Sequence, residues 1–68
     1  MSTTSTWHVT GMTCGHCVAS VTEEISEIEG VEDVQVVLES GEVSVTSAAP
    51  LDRATVAAAV EEAGYALT

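Results

Sequence analysis

The chain has 68 residues, 46% of them hydrophobic, and it carries 11 Asp and Glu against a single cationic side chain, Arg53. This length allows one compact domain with a modest core, because small domains bury a smaller fraction of their surface than large ones. The formal charge of −10 excludes nucleic acid as a partner and disfavours anionic lipid, since both need clustered cations.

The chain is expected to be a cytoplasmic protein that does not insert into a membrane. It has no apolar run of the roughly 18 residues that a spanning helix requires. Its polar start has neither the basic segment nor the apolar segment of a secretion signal. We expect residues 1–5 to form a disordered tail and residues 6–68 to form one domain. A cytoplasmic location also implies reduced thiols.

The first half of the chain predicts a strand and then a helix. Trp7 and Val9 alternate with polar residues, which is typical of a half-buried strand, and Gly11 interrupts the pattern. From about His16, apolar residues recur at spacings of three or four, which predicts an amphipathic helix that Gly30 ends. The apolar positions of this helix are Val18, Val21, Ile25 and Ile28.

A hairpin is predicted next, with a tight turn over 39–42. Its first strand places Val34, Val36 and Leu38 on one face, and its second strand contains Val43 and Val45.

The last third predicts a second helix and a short strand. Asp52 is expected to cap the helix by accepting backbone hydrogen bonds, and Gly64 to stop it. The inner face of this helix is expected to contain Val56, Val60 and Ala63. Residues 65–68 suffice for a terminal strand. The element order predicts an α+β, ferredoxin-like βαββαβ fold, with a four-stranded antiparallel sheet and two helices on one face.

Two cysteines lie at the predicted start of the first helix. Cys14 falls in the loop and Cys17 in the first helical turn, so their sulfurs can converge outside the helix N-terminus. Unpaired N–H groups and the positive end of the helix dipole favour thiolates there. A disulfide between residues this close in sequence would constrain the unfolded chain very little, so a structural bridge is not expected.

Copper(I) suits this pair best. A soft monovalent ion accepts two thiolates alone, whereas structural zinc generally needs four ligands, and the chain offers two Cys and at best His16 nearby. Two-coordinate binding leaves room for an incoming thiolate, so the metal could pass to another protein by ligand exchange. We therefore predict a metal carrier that is not an enzyme.

Thiol-disulfide exchange is the competing chemistry, because Cys-Gly-His-Cys also resembles the active site of protein disulfide isomerases. Domains of that kind are larger, with an aromatic residue before the first Cys and a cis-proline facing the pair. Here Thr13 precedes Cys14, and the only proline, Pro50, lies in the linker before the second helix. This context disfavours redox catalysis.

The sequence Gly-Met-Thr-Cys-Gly-His-Cys at 11–17 resembles the heavy-metal-associated domains of copper chaperones and copper-transporting P-type ATPases. Gly30-Val31 and Gly64-Tyr65 extend the resemblance to most of the chain. It implies that Cys14 and Cys17 bind Cu(I), that Met12 is a buried anchor of the loop, and that the fold is ferredoxin-like.

The resemblance also bears on the partner. His16 and Tyr65 are similar to the residues of free-standing bacterial chaperones, which implies delivery of Cu(I) to the metal-binding domain of a copper-transporting P-type ATPase. The alternatives are the N-terminal domain of such an ATPase itself and a zinc or mercury handler. Zinc-exporting relatives tend to have Asp where this chain has Thr13, and mercury-scavenging relatives are exported. A copper-bridged homodimer also stays open.

Several other residues have both a functional and a structural interpretation. His16 is a third ligand or an exposed turn residue, and Tyr65 shields a sulfur or only packs beside the loop. Met12 is expected in the core and His8 on the solvent face. Carboxylates around the end of the first helix form a solvated face or a docking patch for a basic partner; they are Glu23, Glu24, Glu27, Glu29, Glu32 and Asp33.

Overall fold

Strands and helices follow one another in the predicted order in the computed structural model, which describes residues 2–68. The strands are β1 (Thr3–Thr10), β2 (Val31–Val37), β3 (Glu42–Ser47) and β4 (Ala66–Leu67), and the helices are α1 (Gly15–Ser26) and α2 (Arg53–Glu62). The sheet is antiparallel with the strand order β2-β3-β1-β4. The predicted ferredoxin-like α+β fold is therefore confirmed.

The core lies between the sheet and the two helices. Branched aliphatic side chains from both layers fill it: Val9, Val43 and Val45 from the sheet, Val21 and Ile25 from α1, and Val56 and Val60 from α2. All of these except Val9 have no accessible surface. Burial of each such side chain contributes roughly 1.5–3 kcal/mol relative to leaving it exposed. The predicted helix faces pack on the sheet with one exception: in the first turn of α1 the buried residue is Cys17, and Val18, which was predicted on the inner face, is outside the core cluster.

The first strand is longer than its sequence pattern predicts. It begins at Thr3, so residues 3–5 of the expected tail lie in the sheet, while Met1 lies outside the described residues. The reason is that β3 extends to Ser47, and residues 3–5 pair with 45–47 in antiparallel register. The alternation of apolar residues could not show this pairing, because the segment contains only Thr and Ser.

The first helix ends before the predicted stop. Its last residue is Ser26, after which the backbone N–H groups of Glu27 and Ile28 donate to the carbonyls of Glu24 and Ile25, three residues back. This tighter turn carries Ile28 against the core although Ile28 is no longer helical. Gly30 then adopts a φ of 91° immediately before β2.

The hairpin departs from prediction at one apolar residue. Leu38 lies beyond the end of β2, in the turn, and is 37% exposed. A bulge between Val31 and Asp33 shifts the pairing of β2 with β3. Two residues oppose one at a bulge, so Val31 and Val34 both reach the core although they are not two positions apart.

The second helix is held at its C-terminal end by backbone hydrogen bonds. Gly64, with a φ of 95°, donates to the carbonyl of Glu61, and Tyr65 donates to the carbonyl of Val60. This pair of bonds is a Schellman motif, which requires a left-handed residue at the position that Gly64 occupies. At the other end Asp52 occupies the predicted cap position, but its side chain makes no capping hydrogen bond.

None of the helices within residues 2–68 has the length and apolarity needed to cross a membrane.

Gly41 joins the hairpin turn to the edge of β1. It has a φ of 76°, and the N–H of Val9 donates to its carbonyl at 2.8 Å. A Cβ atom at this position would lie 2.5 Å from the carbonyl oxygen of Val9. Only glycine fits here, both for its φ and for this close backbone approach.

We predict that Gly41→Ala lowers the free energy of unfolding by about 2 kcal/mol or more, because the left-handed conformation and the backbone clash both act against alanine. Gly15→Ala is the matched control, since nothing lies within 4 Å of a Cβ placed at Gly15. Urea denaturation of both variants measures the difference. Equal stability of the two variants would contradict this explanation.

Candidate metal site

The turn from β1 into α1 places both cysteines at a helix N-terminus. After Thr10 the chain reverses through Gly11, whose φ is 92°. Cys14 is the N-cap residue of α1, with extended backbone, and its carbonyl accepts the N–H groups of Cys17 and Val18 at 3.1 and 3.3 Å. The predicted placement of the pair, one residue before the helix and one in its first turn, is therefore the observed one.

The two sulfurs converge but differ in exposure. The Sγ atoms of Cys14 and Cys17 are 3.5 Å apart, and both cysteines are free thiols. Cys14 is exposed, whereas Cys17 is buried with 7% of its surface accessible. One sulfur thus faces solvent while the other belongs to the inner face of α1.

Hydrogen bonds lower the pKa of the buried thiol. The backbone N–H of Thr13 donates to Cys17 Sγ at 3.5 Å, and the Thr13 hydroxyl lies 3.9 Å from the same sulfur. The Thr13 amide is the largest cause of a pKa of about 6 for Cys17, and the nearby Tyr65 hydroxyl and Cys14 lower it further against the opposing effect of desolvation. Cys17 is therefore mostly a thiolate at neutral pH.

Tyr65 reaches the site because of the way α2 ends. The Schellman motif at Gly64 fixes the backbone of Tyr65, and β4 begins at the next residue. A Cβ atom on Gly11 would lie 3.3 Å from Tyr65 Cδ1, so the glycine at the start of the loop leaves space for the ring. The neighbouring Cys17 sulfur in turn raises the pKa of the Tyr65 hydroxyl, because the phenol can donate to the sulfur whereas the phenolate cannot.

The remaining candidates lie around this pair. Met12 is half-buried and packs against the core, as expected for an anchor of the loop. His16 is exposed. Across residues 2–68, no group of three His, Cys, Asp or Glu side chains is arranged to hold a metal ion. His8 is exposed on β1, and its Nε2 lies 4.0 Å from a carboxylate oxygen of Glu42.

One contributor was missed from the sequence. The N–H of Thr13 makes the largest contribution to the lowered pKa of Cys17, whereas the sequence-based prediction draws only on the identity of the Thr13 side chain. The available signal was its position just before a helix N-cap, where backbone N–H groups lack helical partners.

In chemical terms the site is an incomplete one. Two sulfurs, at least one of them anionic at neutral pH, can bind a soft cation of low coordination number. The exposed sulfur leaves such a cation accessible to a further ligand from another molecule.

Comparison with known proteins gives a consistent result. The heavy-metal-associated domain matches residues 6–66. The copper chaperone CopZ of Bacillus subtilis (strain 168) is 41% identical over 61 residues, which cover 88% of each chain. The solved structure of a CopZ metallochaperone superposes with a TM-score of 0.89 at 33% identity, over 97% of this chain and 100% of the other. A copper binding domain from HMA7, a P-type ATPase, superposes with a TM-score of 0.87 at 27% identity, over 100% of this chain and 92% of the other.

Tyr65→Phe should raise the pKa of Cys17 above about 6, because the variant keeps the aromatic ring but loses the hydroxyl that is the second-largest cause of the lowered value. The ultraviolet absorbance of the thiolate, followed against pH in the reduced protein, measures this change. Cys17→Ser is the control and should remove the low-pH transition. An unchanged transition in Tyr65→Phe would exclude Tyr65 from the stabilisation of the thiolate.

Proposed function

This chain belongs to the heavy-metal-associated domain family, and we propose that it is a copper chaperone that binds Cu(I) between Cys14 and Cys17. The observation that carries the proposal is the pair of sulfurs 3.5 Å apart, one exposed and one held as a thiolate. Similarity to the copper chaperone CopZ over most of both chains supports copper as the cargo.

The ligand set supports the monovalent ion. Two thiolates satisfy a soft cation such as Cu(I), whereas zinc generally takes four ligands in structural sites and at least three in catalytic ones. His16 is exposed, and among residues 2–68 no His, Cys, Asp or Glu side chain is placed with the two cysteines to form a group of three metal ligands. Zinc or mercury binding is therefore the weaker alternative.

Release of the cargo is proposed to occur by ligand exchange. A thiolate of the recipient first binds Cu(I) beside the exposed sulfur of Cys14, giving a three-coordinate ion. A second sulfur of the recipient then replaces one of Cys14 and Cys17 on copper. The last bond to this chain finally breaks and leaves a two-coordinate ion on the recipient, with no change in the oxidation state of copper. The sulfur ligands released here are then free to take up protons from solvent.

The proposed recipient is the metal-binding domain of a copper-transporting P-type ATPase. The support is the superposition of this chain on a copper binding domain from HMA7, a P-type ATPase. The proposed donor and recipient would therefore have the same fold. The same likeness keeps an alternative open, in which this chain is the N-terminal domain of the ATPase itself. A reading frame that continues into membrane spans would decide for the alternative.

The proposal places the chaperone in the cytoplasm and assigns it no enzymatic activity. Its site needs both cysteines reduced, and both are free thiols in the structure. A loaded chain could also share copper with a second chain, because Cys14 is open to any thiolate. In such a copper-bridged homodimer, the copper ion would be bound by sulfurs of two identical chains, as it is bound by sulfurs of donor and recipient during the proposed transfer.

We expect Cys14→Ser and Cys17→Ser each to weaken Cu(I) binding by at least about a hundredfold, because a single thiolate cannot satisfy the ion. Anaerobic titration of the reduced proteins against a competing Cu(I) chelator measures the affinity, and Zn(II) serves as the comparison metal. His16→Ala is the control and should bind Cu(I) nearly as tightly as the natural sequence.

Retention of Cu(I) affinity in the Cys14→Ser, Cys17→Ser double variant would refute the assignment of the ligands. Tight Zn(II) binding without tight Cu(I) binding would refute the cargo. Efficient reduction of insulin disulfides by the metal-free protein would instead favour the thiol-disulfide oxidoreductase.

Acid should release the metal. Cys17 has a pKa of about 6, so above that pH it binds copper without losing a proton, and below it protons compete with the metal. The Cu(I) affinity should therefore fall by about tenfold per pH unit for each thiolate that must be deprotonated. Titrations from neutral to acidic pH check this, and a flat profile down through pH 6 would contradict thiolate ligation by Cys17.

A further inference from the structure

The strand β1 has one edge that is only partly covered. On that side β4 pairs with Val9 and Thr10, and the N–H of Thr68 donates to the carbonyl of His8 at 2.9 Å. Backbone groups of alternate residues point to the same side of an antiparallel strand. The N–H and C=O groups of Thr4 and Thr6 therefore point to the same side as those of His8, and within residues 2–68 no backbone group pairs with them there.

The opposite edge of the sheet, formed by β2, is protected against pairing with another chain. Strand β2 has a bulge between Val31 and Asp33, and it carries the carboxylates of Glu32 and Asp33. Bulges and charged side chains are the usual devices that prevent a strand edge from pairing with another chain. β1 has no bulge in its pairing with β3, and residues 2–22 contain no Asp, Glu, Lys or Arg.

We propose that the open edge of β1 is a pairing surface for a second copy of this chain. In an antiparallel pair centred on Ser5, Thr4 of one copy lies opposite Thr6 of the other. Both residues have outward-pointing groups, so each opposed pair exchanges two hydrogen bonds and every free N–H and C=O of Thr4 and Thr6 is satisfied. The slot runs from Thr3 to Trp7, because Thr68 already occupies the place beside His8.

The distribution of charge favours contact between two copies through this edge rather than through any other surface of the chain. β1, the site loop (residues 11–14) and residues 63–68 contain no Asp, Glu, Lys or Arg. Carboxylates meet this strand only at its two ends, Glu32 at Ser2 and Glu42 at His8, outside the segment from Thr3 to Trp7. Two chains of charge −10 repel each other least when their uncharged strands meet. Salt should then strengthen the association, which is the opposite of its effect on docking between unlike charges.

The pairing is expected to be weak and to leave the metal sites free. Five residues of strand form a smaller contact than a standard interface of about 1,600 Å², so we expect a dissociation constant of roughly 1 mM or somewhat below. Because β1 runs towards the site loop, antiparallel pairing puts the two Cys14 side chains at opposite ends of the dimer. This dimer therefore differs from a copper-bridged one and does not depend on the proposed function.

Sedimentation equilibrium of the reduced, natural-sequence protein, with a copper chelator present, tests the proposal without metal or disulfide bridging. In about 1 M KCl, where the Debye length is about 3 Å, the weight-average mass should rise with concentration from 7.0 kDa towards twice that value. At low salt the rise should need a higher concentration. A mass that stays at one chain throughout the accessible concentration range would overturn the proposal.

A pair of substitutions at one position separates edge pairing from other contacts. Thr6→Pro removes an N–H that points out of the sheet, so it should abolish the dimer without removing a hydrogen bond to β3. Thr6→Val keeps the N–H and the branched shape and should dimerise like the natural sequence. A dimer that persists in Thr6→Pro would overturn the assignment of the edge.

Amide hydrogen exchange in the natural sequence gives a test that does not depend on the folding of any variant. The amides of Thr4 and Thr6 should gain protection as the concentration rises, while the exposed edge of β2 should not. Protection confined to β2, or protection of Thr4 and Thr6 only on addition of a metal-receiving domain, would overturn the choice of a second copy as the occupant.

Discussion

The hydrogen bond from the Thr13 amide to the sulfur of Cys17 is the contact on which the site depends. It exists because β1 reverses at Gly11 and the chain then enters α1 at Cys14, which leaves the N–H of Thr13 outside any helix or strand. The sulfur that accepts it is buried, and burial alone would raise its pKa. The backbone of a four-residue turn thus makes a buried thiolate possible in a domain with very little polar interior.

This arrangement gives the two cysteines different tasks. Cys17 is part of the packed inner face of α1 and accepts the hydrogen bond from the Thr13 amide, so it resembles a fixed anchor. Cys14 shares the site but faces solvent, where a second protein can approach it. A carrier needs both properties, since a fully buried pair would release its metal slowly and a fully exposed pair would hold it in competition with every other thiol.

The sequence sufficed for the fold and for the position of the cysteine pair, because both depend on local patterns. The spacing of Val21 and Ile25, and of Val56 and Val60, follows directly from which helix faces pack on the sheet. The start of β1 at Thr3 was missed because its support is the distant strand β3, and a run of Thr and Ser has no amphipathic signal. Leu38 was placed on the inner face because the alternation of Val34 and Val36 continues through it in sequence, but β2 ends at Val37 and Leu38 lies in the turn.

The site could be predicted in composition but not in its asymmetry. Nothing in the spacing of Cys14 and Cys17 says which sulfur is buried, because that depends on how far α1 is rotated about its axis. The influence of Tyr65 also required the fold, since 48 positions separate it from Cys17. Its proximity follows from the antiparallel return of α2 beside α1, which is a property of the whole topology.

The Schellman motif at Gly64 has a consequence for how the protein responds to heat. Tyr65 reaches Cys17 only while the last turn of α2 is closed by the bonds to Val60 and Glu61. Helix ends open more readily than helix centres, with free energies well below that of global unfolding. Opening of the last turn of α2 is therefore expected to remove the contribution of Tyr65 to the low pKa of Cys17 at a lower temperature than the one at which the sheet unfolds, while the larger contribution of the Thr13 amide remains.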